Sequence, residues 1–176
     1  MKKLSPEILE KLKGIKAVVF DVDGVLTDGK ITYDNKGMEF KSFNVKDGQI
    51  IKHLRKNNIL TGVITGRDSR VVRNRCEELK IDFHHHGIED KFNVFFKEMS
   101  RRNIAADQVA YIGDDINDLP VLRIVGLSAT PADGHYKVKE EVDLVLSSEG
   151  GKGAVRELAD LILEATGTYD LILKKQ

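Results

Sequence analysis

The stretch Ile15-Lys16-Ala17-Val18-Val19-Phe20-Asp21-Val22-Asp23-Gly24 decides the fold. Its first half is a nearly unbroken run of apolar, largely β-branched residues. A strand with one wet face would alternate, so an unbroken run predicts a strand buried on both faces, as in a parallel sheet between helices. Two aspartates and a glycine then follow at once. In open α/β sheets, ligands bind beyond the carboxyl ends of the strands, and these carboxylates stand at that end.

The pattern repeats downstream. ILTGVIT (59–65), IDFHH (81–85), QVAYIG (108–113), GLSAT (126–130) and DLVL (143–146) predict further strands. Helical segments fall between or beside them: 5–13, entered by Ser5 and Pro6 and stopped by Gly14; GQIIKHLRKNN, capped by Asp47; 68–80, capped by Asp68 or Ser69; 90–103; a short one over 115–124; and one from about 152 to 165. Residues 29–45 differ in texture. Two alternating segments flank Asn35-Lys36-Gly37 and predict a projecting β-hairpin. Strands alternating with helices predict a Rossmann-like α/β fold, a parallel sheet with helices on both faces. We expect one domain over residues 1–176, with no inserted cap domain and a short amphipathic tail at 167–176.

Composition narrows the function. The chain has 176 residues, 41% hydrophobic and 32% charged, which allows a proper core and excludes general disorder. Lys+Arg and Asp+Glu both number 28, so the basic excess expected of a nucleic-acid binder is missing. The one cysteine, Cys76, excludes an internal disulfide and any CxxC site. No run of about 18 apolar residues occurs, and no apolar secretory core follows the N-terminus. A cytoplasmic protein with no membrane or nucleic-acid partner is the expectation.

The residues after each strand define the chemistry. Asp21 and Asp23 follow the first, Thr65-Gly66-Arg67 the second and Lys91, after a short loop, the third; Gly113-Asp114-Asp115, with Asp118 one turn on, follow the fourth. Clustered aspartates repel unless a cation or proton sits among them, and carboxylate oxygens suit a hard ion such as Mg²⁺. A hydroxyl and an ammonium suit phosphate oxygens, so the constellation predicts Mg²⁺ plus a phosphoryl group. The DVDG turn is not an EF-hand, since Val25 and Leu26 occupy the fifth and sixth loop positions and Thr32 the twelfth. Nor does the order fit a receiver domain, whose acidic pair follows the first strand, whose phosphorylated Asp follows the third and whose Lys comes last.

DVDGVLTDG, ITGR, Lys91 and GDDINDLP, in that order over about residues 15–165, resemble the four motifs of the haloacid dehalogenase (HAD) superfamily of phosphatases. The resemblance implies Asp21 as nucleophile and Asp23 as general acid/base. Thr65 and Lys91 would hold the phosphoryl group. Asp21, Asp114 and the main-chain carbonyl of Asp23 would hold Mg²⁺, supported by Asp115 and Asp118. Between the motifs the chain has room only for the hairpin and single helices and strands. A capless site needs a large substrate or a neighbouring subunit to close it.

GKITYDNKGMEFKSFNVKDG, ITGR and GGKGAVREL resemble more narrowly the family of 3-deoxy-D-manno-octulosonate 8-phosphate (KDO 8-phosphate) phosphatases. That resemblance implies a homotetramer of lipopolysaccharide biosynthesis, with hairpins and tails of neighbours enclosing each site. It implies substrate contacts at Asp23, Asn44, Val45, Lys46, Asp47, Gly48, Lys52, Arg67, Arg75 and Lys91. Arg67 and Arg75 are guanidinium groups suited to gripping the sugar carboxylate. Arg67 follows Thr-Gly where the related KDN 9-phosphate phosphatase carries Glu. A protein that senses phosphate at a Mg²⁺ site without turnover is the alternative from another class, and Asp23 argues against it, because a binder needs no acid/base.

Other features have plainer expectations. Arg70, Arg73 and Arg75 suit a solvated helix face, and Gly150-Gly151-Lys152-Gly153 a structural turn, with Lys152 and Arg156 as candidate contacts to substrate or neighbour. On a strand, the adjacent His84, His85 and His86 point to alternating faces and so do not converge on a metal. Cys76 has the spacing of a core residue.

Overall fold

A computed structural model describes residues 4–169. Six parallel strands form one sheet: β1 (Ala17–Phe20), β4 (Leu60–Ile64), β5 (Phe83–His85), β6 (Val109–Ile112), β7 (Leu127–Thr130) and β8 (Leu144–Val145). Their order across the sheet is β5-β4-β1-β6-β7-β8. The chain builds leftward from β1 to β5, then returns to β1 and builds rightward. The strand order therefore reverses beside β1, where Phe20 pairs with Val63 of β4 on one side and Ile112 of β6 on the other. That reversal opens the crevice in which such sheets hold ligands.

All four residues of β1 are buried, as the unbroken apolar run predicts. Successive side chains leave a strand on opposite faces, and the core divides accordingly. Val18 and Phe20 pack into a layer with Ile50, Ile51 and Leu54 of α2 (Val45–Lys56), Val72 and Cys76 of α3 (Arg70–Leu79), Leu12 of α1 (Pro6–Lys13), and Leu158 and Ile162 of α7 (Ala154–Ala165). Ala17 and Val19 pack into the other layer. It holds Phe95 and Met99 of α4 (Lys91–Arg102), Val121 and Leu122 of α5 (Leu119–Leu122) and Val138 of α6 (Tyr136–Lys139). Gly62 of β4 lies in register with Phe83 of β5, and a Cβ there would strike the Phe83 ring.

Several elements differ from the sequence-based expectation. The hairpin pairs only β2 (Thr32–Tyr33) with β3 (Glu39–Phe40), because its side chains are largely solvated and give longer strands no face to bury. The turn tip agrees with expectation, with Gly37 at φ 78° and Asp34 accepting from the amides of Lys36 and Met38. Segment 115–124 divides into a 3₁₀ turn at Ile116–Asp118 and the single turn of α5. The short helix α6 was not expected at all. Most of the 167–176 tail lies outside the described residues.

The correction with most consequence concerns α2. It begins at Val45 and is capped by Asn44, whose side chain accepts from the Lys46 amide at 2.9 Å. Asp47, expected as the cap, is buried one turn in and serves a different helix. Its Oδ1 accepts from the Arg156 amide at 2.8 Å and fastens the first turn of α7. Burial pushes the Asp47 carboxyl upward, against the pull of the Arg156 and Gly153 amides. Asp47→Ala is expected to cost about 1–2 kcal/mol in urea unfolding, the scale of a lost helix cap, and Asp47→Asn to cost less because it keeps the acceptor.

Candidate active site

The carboxyl ends of β1, β4 and β6 meet around a cavity of about 280 Å³ lined by Asp21, Asp23, Gly29, Thr65, Gly66, Arg67, Asp114, Asp115 and Asn117. Lys91 reaches it from the first turn of α4. It is 2% exposed, and its Nζ donates to Asp21 Oδ2 at 2.9 Å and Asp118 Oδ1 at 2.7 Å. Asp118 is fully buried and also accepts from the Tyr111 hydroxyl at 2.7 Å and the amides of Asp114 and Asp115. Asp118 thus spends its lone pairs orienting the lysine and the Gly113–Asp118 loop. Asp21 Oδ1 accepts from the Val22 amide at 2.7 Å. Thr65 lines the cavity and is buried.

Too much negative charge is gathered here for one ammonium. Asp21, Asp114 and Asp118 each place a carboxylate oxygen within 4.8 Å of the others. Desolvation, then the Asp118 charge, raises Asp21 to about 6 despite Lys91. Desolvation, then Asp21 and Asp118, raises Asp114 to about 8. Burial works against the Lys91 charge, but Asp21 and Asp118 outweigh it and hold its pKa above the ordinary lysine value. Asp114 Oδ1 is buried with no hydrogen-bond partner. Gly24, at φ 85°, brings the DVDG turn so close that a Cβ would collide with the Asp114 carboxylate. An orphaned carboxylate oxygen in a fitted cradle, beside a second carboxylate, suits a small hard cation.

Asp23 stands apart from that triangle. Its Oδ1 pairs with Lys41 and accepts weakly from Thr27 Oγ1 at 3.3 Å, while Arg67 Nε lies 3.8 Å from Oδ2. Lys41 was not foreseen, because nothing in the alternating MEFKSFNV segment marks it as turned toward Asp23. Tyr111 was also missed, its hydroxyl being the only polar mark within the run VAYI.

The structure brings Asp21, Asp23, Thr65, Arg67, Lys91, Asp114, Asp115 and Asp118 to one rim. It does not bring Asn44, Val45, Lys46, Asp47, Gly48, Lys52 or Arg75 to the cavity of their own chain. Asn44 and Asp47 cap helices, Val45 is 76% exposed, and Lys52 projects from the surface of α2. Gly48 makes room for the Arg75 guanidinium between α2 and α3. Arg75 lies over the Phe43 ring and bonds Glu78, with its Nε buried and unpaired. Lys46 borders a larger cleft of about 470 Å³ between β8 and α7, with Lys152 and Arg156, and no residue of the aspartate–lysine rim lines it. Lys152 bonds Glu149, and Arg156 bonds Asp160 and the Tyr169 hydroxyl.

Strand alternation separates His85 from its neighbours but, against expectation, brings His84 and His86 together with Cys76, their ligand atoms within 4.8 Å of one another. His85 bonds Glu98 at 2.9 Å on one face, and His84 meets His86 at 2.8 Å on the other, near Cys76. Burial and the Arg73 charge hold His86 down at about 4, and burial pushes the Cys76 thiol up to about 12.

The sheet with its reversal beside β1, together with the aspartate–lysine rim, defines the class: residues 85–158 match the family of haloacid dehalogenase-like hydrolases. The 3-deoxy-D-manno-octulosonate 8-phosphate phosphatase KdsC of Haemophilus influenzae is 47% identical over 158 residues, 90% of this chain and 88% of the relative. The chain belongs to the KdsC family of haloacid dehalogenase-like hydrolases. Among solved structures, the Moraxella catarrhalis 3-deoxy-D-manno-octulosonate 8-phosphate phosphatase in complex with magnesium, phosphate and KDO superposes with a TM-score of 0.94 at 37% identity, over 96% of this chain and 97% of that one. The cobalt-bound phosphatase of H. influenzae gives 0.86 at 47% identity, over 89% and 92%.

Asp21 and Asp114 bind protons more tightly folded than unfolded. Their contribution is therefore complete below the ordinary Asp value of 3.8 and is lost as pH rises through about 6 and about 8. Without divalent metal, the melting temperature is expected to fall over that window. Saturating Mg²⁺ should abolish the fall, with Mg²⁺ affinity itself rising with pH, as calorimetry at several pH values would show.

Proposed function

We propose that this chain is a Mg²⁺-dependent phosphatase that hydrolyses KDO 8-phosphate to KDO and inorganic phosphate, in lipopolysaccharide biosynthesis in the cytoplasm. The observation that carries the chemistry is the Asp21 carboxylate, held by a buried lysine at a strand end beside the unpartnered Asp114 oxygen. Membership of the KdsC family carries the substrate.

Asp21 and Asp114, with the Asp23 main-chain carbonyl, would hold Mg²⁺. When bound, the ion offsets repulsion between a carboxylate nucleophile and an anionic phosphate. Asp21 attacks phosphorus in line with the ester oxygen, giving an aspartyl-phosphate and dividing one hard step into two. Asp23 protonates the departing sugar oxygen as the P–O bond breaks. In the second step it takes a proton from the water that attacks the acyl phosphate, releasing phosphate and restoring Asp21. Lys91 and Thr65 hold the phosphoryl oxygens, and Asp118 with Tyr111 keeps Lys91 extended, so that little reorganisation is needed as charge shifts.

The reading includes a homotetramer. Among the described residues nothing caps the cavity, the hairpin presents Tyr33, Met38 and Phe40 at half exposure or more, and residues 44–48 and Arg75 stand away from their own rim. A neighbouring subunit would bring such groups to the site and cover the apolar tip. Arg67 and Arg75 would then address the sugar carboxylate, each suited to a two-pronged grip.

The test is turnover across phosphorylated sugar acids, with and without EDTA. KDO 8-phosphate should exceed KDN 9-phosphate in kcat/KM, and chelation should stop both. Asp21→Asn should reduce kcat by at least about 10⁴-fold while the protein stays folded and binds phosphate, since a nucleophile's loss removes the covalent route. Equal turnover of the two esters would refute the substrate assignment. Hydrolysis by Asp21→Asn at the unmodified rate would refute the nucleophile.

A further inference from the structure

The hairpin contributes one residue to the catalytic rim from within the same chain. Lys41 follows β3 directly, and its side chain is completely shielded from solvent. A lysine is buried in this way only when its charge is answered. Here the answer is the acid/base itself, since Lys41 Nζ pairs with Asp23 Oδ1 and lies 3.5 Å from Glu39 Oε1. Thr27 Oγ1 bonds the same Asp23 oxygen at 3.3 Å. Oδ2 is left without a hydrogen bond, beneath Arg67, which is itself tied to the hairpin through the Tyr33 hydroxyl at 3.0 Å.

We propose that Lys41 is a positioning residue for the reaction. By holding Oδ1, it fixes the Asp23 rotamer so that Oδ2 is the oxygen that serves the leaving group. This inference rests on the role given to Asp23 above. In that role the proton leaves Asp23 Oδ2 for the bridging ester oxygen, which takes the electron pair of the breaking P–O bond. What Lys41 sets is the direction of the carboxylate. A free Asp side chain rotates about χ1 and χ2, and a proton donor out of line by an ångström forfeits much of its effect. Lys91 and Asp118 do for the nucleophile what Lys41 does for the acid. The difference is that Lys91 comes from the core and Lys41 from the exposed hairpin, so the seating of the hairpin becomes a condition for proton transfer.

The test exploits the leaving group. A sugar alkoxide needs a proton as it departs, whereas p-nitrophenolate leaves readily without one. Water attack on the aspartyl-phosphate is common to both esters, so the step to read is the first, as the single-turnover rate of alcohol release. Lys41→Met is expected to lower it on KDO 8-phosphate by about 10- to 100-fold, part of the usual worth of a general acid, and on p-nitrophenyl phosphate by less than about threefold. Lys41→Arg, which restores the charge and the donor, should recover most of the loss. Lys41→Gln, close in length and still polar, takes the place of the methionine variant if that protein does not fold. Equal losses of that single-turnover rate on both esters, or a raised half-saturation with the maximal rate unchanged, would overturn the inference and make Lys41 a structural or substrate-binding residue. Asp23→Asn, measured alongside, separates the two levels. If it too fails to discriminate between the esters, the acid/base role is wrong. If it discriminates and Lys41→Met does not, only the positioning role falls.

Discussion

Three carboxylates and one ammonium share a buried space at the point where the sheet reverses, and the rest of the site is arranged around that imbalance. The single charge of Lys91 is shared between Asp21 and Asp118, and Asp118 is satisfied by four donors. The remaining charge falls on Asp21 and Asp114, whose raised proton affinities express the cost of keeping them together without a cation. A protein selected for stability alone would not retain such a cluster, since unpaired buried charge is among the costliest arrangements in a fold. The cluster is tolerated because strands of a parallel sheet all end on one side, and the apolar layers above and below supply the stability it subtracts.

Much of this was legible in the chain. The strands at 17–20, 60–64 and 109–112 announce themselves as apolar runs, and each ends in the polar groups that face the cavity. Local pattern and tertiary role coincide there, because a strand buried on both faces leaves polar side chains nowhere to go but its end. Where role depends on a distant partner, the pattern misleads. Asp47 has every local mark of a cap for α2, yet its carboxylate serves an amide 109 residues away. Lys41 looks like one solvated residue in an alternating strand, and only the folding back of the hairpin turns it to Asp23. Tyr111 counts as one more apolar residue until its hydroxyl meets Asp118.

The hairpin shows the same limit from the other side. Its expected strands are long because alternation extends from 30 to 45, but mostly solvated side chains do little to sustain pairing, and only two residues on each arm remain in register. Tyr33 and Lys41 make it part of the site, and the apolar tip leaves it unfinished as a surface.

The aspartate–lysine rim and the hairpin beside it are therefore held with very different firmness. Gly24 is hemmed in by Asp114, and β1 is sealed on both sides, so almost any change there is felt at the chemistry. The two-stranded hairpin is wet and thinly attached. Substitutions at its exposed positions disturb little beyond themselves, provided Tyr33 and Lys41 keep their grip. The same chain thus carries a rigid floor and a yielding rim, and changes confined to the rim's exposed positions leave the floor as it is.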